Sequence, residues 1–90
     1  MQKLEKIVEV LYDHSSLGGV LLSEFIEDCL EGFLLDKAGM TFISYNAVCT
    51  AIKNGSPKRT GNWEFRILEV ENNEDLLEKN IEDQWISLNS

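Results

Sequence analysis

The sequence predicts a mostly helical α+β fold, and two patterns indicate it. Apolar residues recur at helical spacing in several stretches, whereas apolar and polar residues alternate, as in a β-strand, mainly after Asn62. The predicted helices cover about 2–13, 20–37, 45–54 and 73–85, and the predicted β element covers about 41–43 and 62–71. The chain has 90 residues, which is enough for a single small domain (1–90) with one modest core.

Two apolar stripes predict the first two helices. In the first stripe, Leu4, Ile7, Val8 and Leu11 follow the spacing i, i+3, i+4 and i+7. The second stripe is the widest in the chain and comprises Leu21, Leu22, Phe25, Ile26, Cys29, Leu30, Phe33 and Leu34. Serines and glycines over 15–19 predict a loop between the two helices.

The second half of the chain is predicted to contain a short helix, one main strand and a last helix. Ser44 is a suitable N-cap for the helix 45–54, and Gly55 ends it. Alternation of Trp63 and Phe65 with charged residues predicts the strand 62–71. Its pairing partner is open between the 41–43 segment, the 56–60 segment folding back as a hairpin, and the same strand in a second copy. For the last helix, Asn72 or Asn73 is the expected N-cap and Trp85 is expected in the core.

Charge is segregated along the chain. The stretch 37–63 holds no Asp or Glu, although the chain has 16, and four of its eight Lys and Arg residues lie there. The net charge of −8 disfavours nucleic acid and anionic membranes as partners and favours basic protein surfaces. Two helix sides are predicted as acidic partner-binding faces, and they comprise Glu24, Glu27, Asp28 and Glu31 in one helix and Glu74, Glu78, Glu82 and Asp83 in the other.

The sequence contains no pattern typical of catalysis. His14 is the only histidine, and neither a phosphate-binding glycine motif nor a Cys/His cluster is present, so no metal or cofactor is expected. Cys29 and Cys49 lie in apolar stripes and are predicted to be buried thiols, with a disulfide or redox role as the alternative. No apolar run is long enough to span a bilayer, and the acids near the start do not fit a signal peptide, so a cytoplasmic protein is expected.

The segment ISYNAVCTAIKNGSPKRTGNWEFR, over about 43–66, resembles the small DNA-binding repeat modules of phage-type homing endonucleases. The resemblance is a short helix, a lysine-rich turn, and a Gly and a Trp that open a strand. Its matching points are Val48, Ala51, Ile52, Lys53, Gly61, Trp63 and Phe65. It implies nucleic-acid contacts at Tyr45, Asn46, Lys53, Lys58 and Arg59, to which the basic segment adds Arg66.

Two functions therefore stand as hypotheses. The first is a small acidic, non-catalytic inhibitor or regulator, of the phage-encoded, antitoxin or immunity type, that binds the basic surface of another protein. The alternative is a DNA-binding regulator, because the order of the predicted elements is compatible with a winged helix whose wing is the loop at Lys58 and Arg59. Homodimerisation through the strand 62–71 is a third possibility for association.

Overall fold

The fold is a four-stranded antiparallel sheet with helices packed on one face. The computed structural model describes residues 4–71, 77 and 79–90. The strands are β1 (Glu5–Tyr12), β2 (Ser15–Leu21), β3 (Lys58–Thr60) and β4 (Trp63–Val70), in the sheet order β2-β1-β4-β3. The helices whose bounds lie within the described residues are α1 (Leu22–Asp28), a short π-helix (Gly32–Lys37), α2 (Phe42–Lys53) and α3 (Ile81–Leu88). The prediction of a mostly helical fold is therefore wrong, and the sheet leaves no place for the winged-helix arrangement.

The predicted first helix, 2–13, is instead the central strand β1 over its described residues. Its β-branched and aromatic residues favour a strand, and both sides of the strand are buried, so its apolar pattern fits helical spacing as well. The predicted loop over 15–19 lies in β2, which pairs with β1 across a two-residue turn formed by Asp13 and His14. Both turn residues have positive φ, at 51° and 67°, as this class of tight hairpin requires.

The predicted second helix, 20–37, is divided into two segments. Cys29 and Leu30 both adopt the left-handed conformation, with φ of 53° and 52°, and end α1. The Asp28 carboxylate stabilises this turn by accepting a hydrogen bond from the Leu30 backbone N–H at 3.0 Å. The turn allows Phe25 in α1 and Leu34 in the π-helix to enter the same core.

The third helix begins three residues earlier than predicted, because its N-cap is Thr41 and not Ser44. Thr41 Oγ1 accepts a hydrogen bond from the Ser44 backbone N–H at 3.2 Å. Phe42 and Ile43, which were predicted in a short strand, therefore form the first turn of α2. The prediction of a strand over 62–71 is confirmed by β4. It pairs with β3, which is the hairpin alternative, and over a longer register with β1, which is none of the three expected partners.

Each described helix contributes to one core on one face of the sheet. Strand side chains alternate between the two faces, and Val8, Val10 and Phe65 point towards the helices. The core on this face is formed by Val8, Val10, Leu17, Phe25, Cys29, Leu34, Tyr45, Val48, Cys49, Ile52, Trp63, Phe65 and Ile81. Trp85 of α3 packs against Tyr12 and Trp63, with ring centroids 4.6 and 5.2 Å apart. Within the described part of the chain, no helix has the length and apolar character needed to cross a bilayer.

The predicted last helix, 73–85, differs from α3 in its described portion. Asn80 is the N-cap of α3, since its side-chain oxygen accepts a hydrogen bond from the Asp83 backbone N–H at 3.0 Å. The expected caps Asn72 and Asn73 lie outside the described residues.

Candidate protein-binding surface

Four carboxylates lie on the exposed side of α1 and in the turn after it. Glu24, Glu27 and Asp28 are spaced i, i+3 and i+4, so they share one side of the helix and lie outside the core that Phe25 enters. Glu31 follows after the left-handed turn, and all four acidic side chains are exposed. None of them makes an ion pair with another described residue. We call these four residues the acidic flank.

Tyr45 connects the acidic flank to the first half of α2. Its ring is buried, and its Oη donates a hydrogen bond to the Asp28 carbonyl oxygen at 3.2 Å. The pKa of Tyr45 lies well above its ordinary value, chiefly because the hydroxyl is desolvated. A hydrogen bond with the Cys49 thiol and the charge of Glu31 raise this pKa further. The acidic flank therefore lies beside the start of α2.

Two large apolar side chains are exposed at the start of α2. Phe42 is 64% exposed and Ile43 is 81% exposed, and these are the two highest values among the large hydrophobic residues that the structure describes. The Phe42 ring lies beside the Tyr45 ring, with centroids 6.3 Å apart. We call Phe42 and Ile43 the apolar pair, and it adjoins the acidic flank through Tyr45.

The exposed side of α2 lies between the acidic flank and β3. Thr60 Oγ1 in β3 donates a hydrogen bond to Ser44 Oγ at 3.2 Å, whereas the next residue, Tyr45, contacts the acidic flank. Successive helix residues point about 100° apart, so β3 and α1 lie along different sides of α2. The exposed side between them is free of carboxylates and carries Phe42, Ile43, Asn46, Thr50 and Lys53.

The residues predicted to contact nucleic acid are not brought together. Arg59 is paired with Glu64 in the sheet register, and Arg66 is paired with Glu9, so both arginines point to the sheet face opposite the helices. Arg66 Nε donates a hydrogen bond to Glu64 Oε2 at 2.7 Å, and this bond is the main reason that the pKa of Glu64 lies below its ordinary value. Lys58 is paired with Phe65 and points to the helix side.

The other predicted nucleic-acid contacts lie on α2. Asn46 and Lys53 are exposed there, but Tyr45 is buried and holds the Asp28 carbonyl oxygen. The six predicted contacts therefore fall on two opposite sides of the sheet, and one of them lies in the core.

The second predicted acidic face is only partly described. Glu74 and Glu78 lie outside the described residues. Glu82 forms an ion pair with Lys37, and Asp83 is exposed in the first turn of α3. Lys37 therefore neutralises part of this face, which distinguishes it from the acidic flank.

The two cysteines lie in the core beneath the surface of α1 and α2. Both are free thiols, and Cys29 is only 3% exposed. Burial, together with a hydrogen bond with Cys49, raises the pKa of Cys29 to about 12. A thiol with such a pKa is uncharged at neutral pH and is a poor nucleophile. Its position fits the prediction of a buried thiol that packs as an apolar group.

His14 lies in the turn between β1 and β2. It lines a polar cleft of about 50 Å³ with Asp13, Arg59, Asn62 and Glu64. Among residues 4–71, 77 and 79–90, no three His, Cys, Asp or Glu side chains are arranged to hold a metal ion.

No family model, curated protein or solved structure matches the chain. The candidate surface therefore depends on its own geometry. The helical spacing of the acids predicts the acidic flank, whereas the expectation of a short strand over 41–43 misses the apolar pair. The available signal was Thr41, because an N-cap at this position places the next two residues in a first helical turn, away from the inward positions Val48 and Ile52.

Proposed function

We propose that this chain is a small, non-catalytic binding protein that inhibits or regulates another protein by contacting a basic surface on it. The observation that carries the proposal is the acidic flank, with four exposed carboxylates on α1 and in the turn after it and no ion pair to any described residue. Inhibitors of the phage-encoded, antitoxin or immunity type belong to this class of function. A cytoplasmic location is part of the proposal and is supported by the two free thiols.

The charge of the chain supports the same kind of partner. A net charge of −8 attracts a basic protein over a distance of about one Debye length, roughly 8 Å at physiological salt. The acidic flank concentrates four of these negative charges beside α2. An interface built on such a flank gains association rate and specificity from charge complementarity.

The DNA-binding alternative receives less support from the same geometry. Arg59 and Arg66 point away from α2, and Arg66 is already paired with Glu64. Strong binding to duplex DNA usually requires several cations that contact phosphates on one surface. Fluorescence anisotropy of labelled duplex DNA at low salt tests this alternative, which would be favoured if the double variant Lys58→Ala/Arg59→Ala lost a salt-dependent signal.

The proposed function is tested by affinity capture from a bacterial lysate with charge-reversal variants. We expect Glu24→Lys/Glu27→Lys to lose partners that the wild-type chain retains at physiological salt. The matched control is Glu5→Lys/Glu71→Lys, which makes the same change in net charge at two exposed acids outside both predicted acidic faces. Equal capture by both double variants would contradict a role for the acidic flank.

A further inference from the structure

The apolar pair has no role in the core of the protein. The inward side of α2 supplies Val48 and Ile52 to the core, and these side chains are 0% and 1% exposed. Phe42 and Ile43 lie on the other side, in the first turn, where the N-cap Thr41 already stabilises the start of the helix. Single exposed apolar residues are common, but two adjacent large ones with most of their surface in water indicate a contact surface.

The position of the apolar pair identifies the chemistry of its partner. Phe42 packs beside the buried Tyr45, whose hydroxyl donates a hydrogen bond to the backbone carbonyl oxygen of Asp28, so the first turn of α2 lies next to the end of α1 that carries the acidic flank. A complementary surface must bury two apolar side chains and present positive charge directly next to them. We propose that the apolar pair enters an apolar pocket on the partner protein, and that lysine or arginine residues on the rim of this pocket meet the acidic flank.

A second copy of this chain fits the apolar pair less well. Each copy carries a net charge of −8 and an acidic flank beside the apolar pair. Repulsion between like charges opposes the association of two such chains. The exposed side of α2 carries one positive side chain, Lys53, which cannot balance the four carboxylates of the acidic flank. Charge complementarity therefore favours a basic partner.

The inference rests on the proposed function and assigns a different kinetic role to the acidic flank and to the apolar pair. Long-range attraction by the acidic flank governs the association rate and its dependence on salt. Burial of the apolar pair governs the dissociation rate, because short-range contacts act after the two proteins have met. The two parts can therefore be separated by kinetics.

The partner is first identified by photo-crosslinking and then measured in purified form. Benzoylphenylalanine in place of Ile43 should form an adduct in a bacterial lysate, whereas the same group in place of Ile86 should not form that adduct. Ile86 is a matched control because it is 55% exposed on α3, outside the candidate surface. Binding of the purified partner is then measured by surface plasmon resonance at two salt concentrations.

We expect Phe42→Ala and Ile43→Ala each to weaken binding about 10-fold to 100-fold, since each removes a large apolar side chain that becomes buried. The loss should arise from faster dissociation, with an unchanged salt dependence. Ile86→Ala should bind like the wild-type chain. Glu24→Lys/Glu27→Lys should instead slow association and reduce the salt dependence.

Other outcomes separate the two proposals. Normal binding by Phe42→Ala and Ile43→Ala, together with loss in the acidic-flank variant, would overturn the role of the apolar pair and leave the proposed function standing. Normal binding by all variants would overturn both proposals. The absence of an adduct from position 43 with a partner that the acidic flank still captures would overturn the apolar pair alone. An adduct between two copies of this chain would replace the basic partner with self-association.

Discussion

Two isoleucines on α2 offer a matched test of which side of the helix serves folding. Ile52 is 1% exposed and packs in the core, whereas Ile43 is 81% exposed. Replacing Ile52 by alanine removes buried methyl groups and leaves a cavity, which costs about 2–5 kcal/mol of the free energy of unfolding. The same replacement at Ile43 should change stability by less than about 0.5 kcal/mol, because the side chain is already in water.

The assay is thermal unfolding followed by far-ultraviolet circular dichroism. For a domain of this size, a loss of 1 kcal/mol lowers Tm by about 4–8 °C, so a loss of about 3 kcal/mol at Ile52 should lower Tm by about 12–24 °C. Ile43→Ala should unfold within about 4 °C of the wild-type chain. A comparable fall in Tm for both variants would refute the orientation of α2 and, with it, the conclusion that the apolar pair has no role in the core.

Three further predictions concern local features of the structure. Thr41→Ala should lower the free energy of unfolding by about 1 kcal/mol in urea titrations, because the α2 N-cap is lost. Thr50→Ala on the exposed side of the helix should not lower it, and equal effects of the two changes would contradict the role of Thr41 as N-cap. Cys29 should resist iodoacetamide at pH 8 in the folded chain and react in urea, because burial raises its pKa to about 12. Rapid labelling of Cys29 without urea, detected by mass spectrometry, would show that the thiol is accessible. The Glu64 carboxylate should titrate below its ordinary pKa in NMR spectra, since Arg66 donates a hydrogen bond to it. The stability that this pair contributes is present above the ordinary pKa of Glu64 and is lost as pH falls through the lowered pKa. Arg66→Ala should return the pKa of Glu64 towards the ordinary value, and an unchanged titration would argue against this pair.

The sheet was only partly predictable from the sequence. In β4, Trp63 and Phe65 face the core and Glu64 and Arg66 do not, so the alternation identified the strand, whereas its pairing partner stayed open and the hairpin with β3 was one of three alternatives. In β1, residues on both faces are buried, with Ile7 at 1% and Val8 at 0% exposed, so no alternation was visible. The hairpin that joins β1 to β2 has no glycine in its turn, which removed the usual sequence signal.

Gly18 and Gly19 also concealed β2, since glycines in sequence usually indicate a loop. In the sheet, Gly18 lies opposite Val10 next to a register shift, and its φ of 121° is accessible to glycine. A bulge of this kind depends on the neighbouring strand and cannot be inferred from local spacing. The left-handed turn at Cys29 and Leu30 is a similar case, because tertiary packing determines it and neither residue favours that conformation.

The candidate site was predictable to the extent that local spacing defines it. Glu24, Glu27 and Asp28 lie on one exposed side of α1, as their spacing indicates, although the helix around them is shorter than predicted. Phe42 lies close to the acidic flank because α1 and α2 are in contact through Tyr45. That contact joins residues 17 positions apart in sequence, and no local pattern records it.

The central claim is that the acidic flank and the apolar pair form one protein-binding surface. The most direct measurement is the ¹H–¹⁵N NMR spectrum of the labelled chain during titration with the crosslinked partner in purified form. We expect the largest changes in amide chemical shift at Glu27, Asp28, Phe42 and Ile43, while the amide of Arg66 on the opposite face of the sheet is unaffected. Changes centred on Arg66, with none in the first turn of α2, would contradict the central claim.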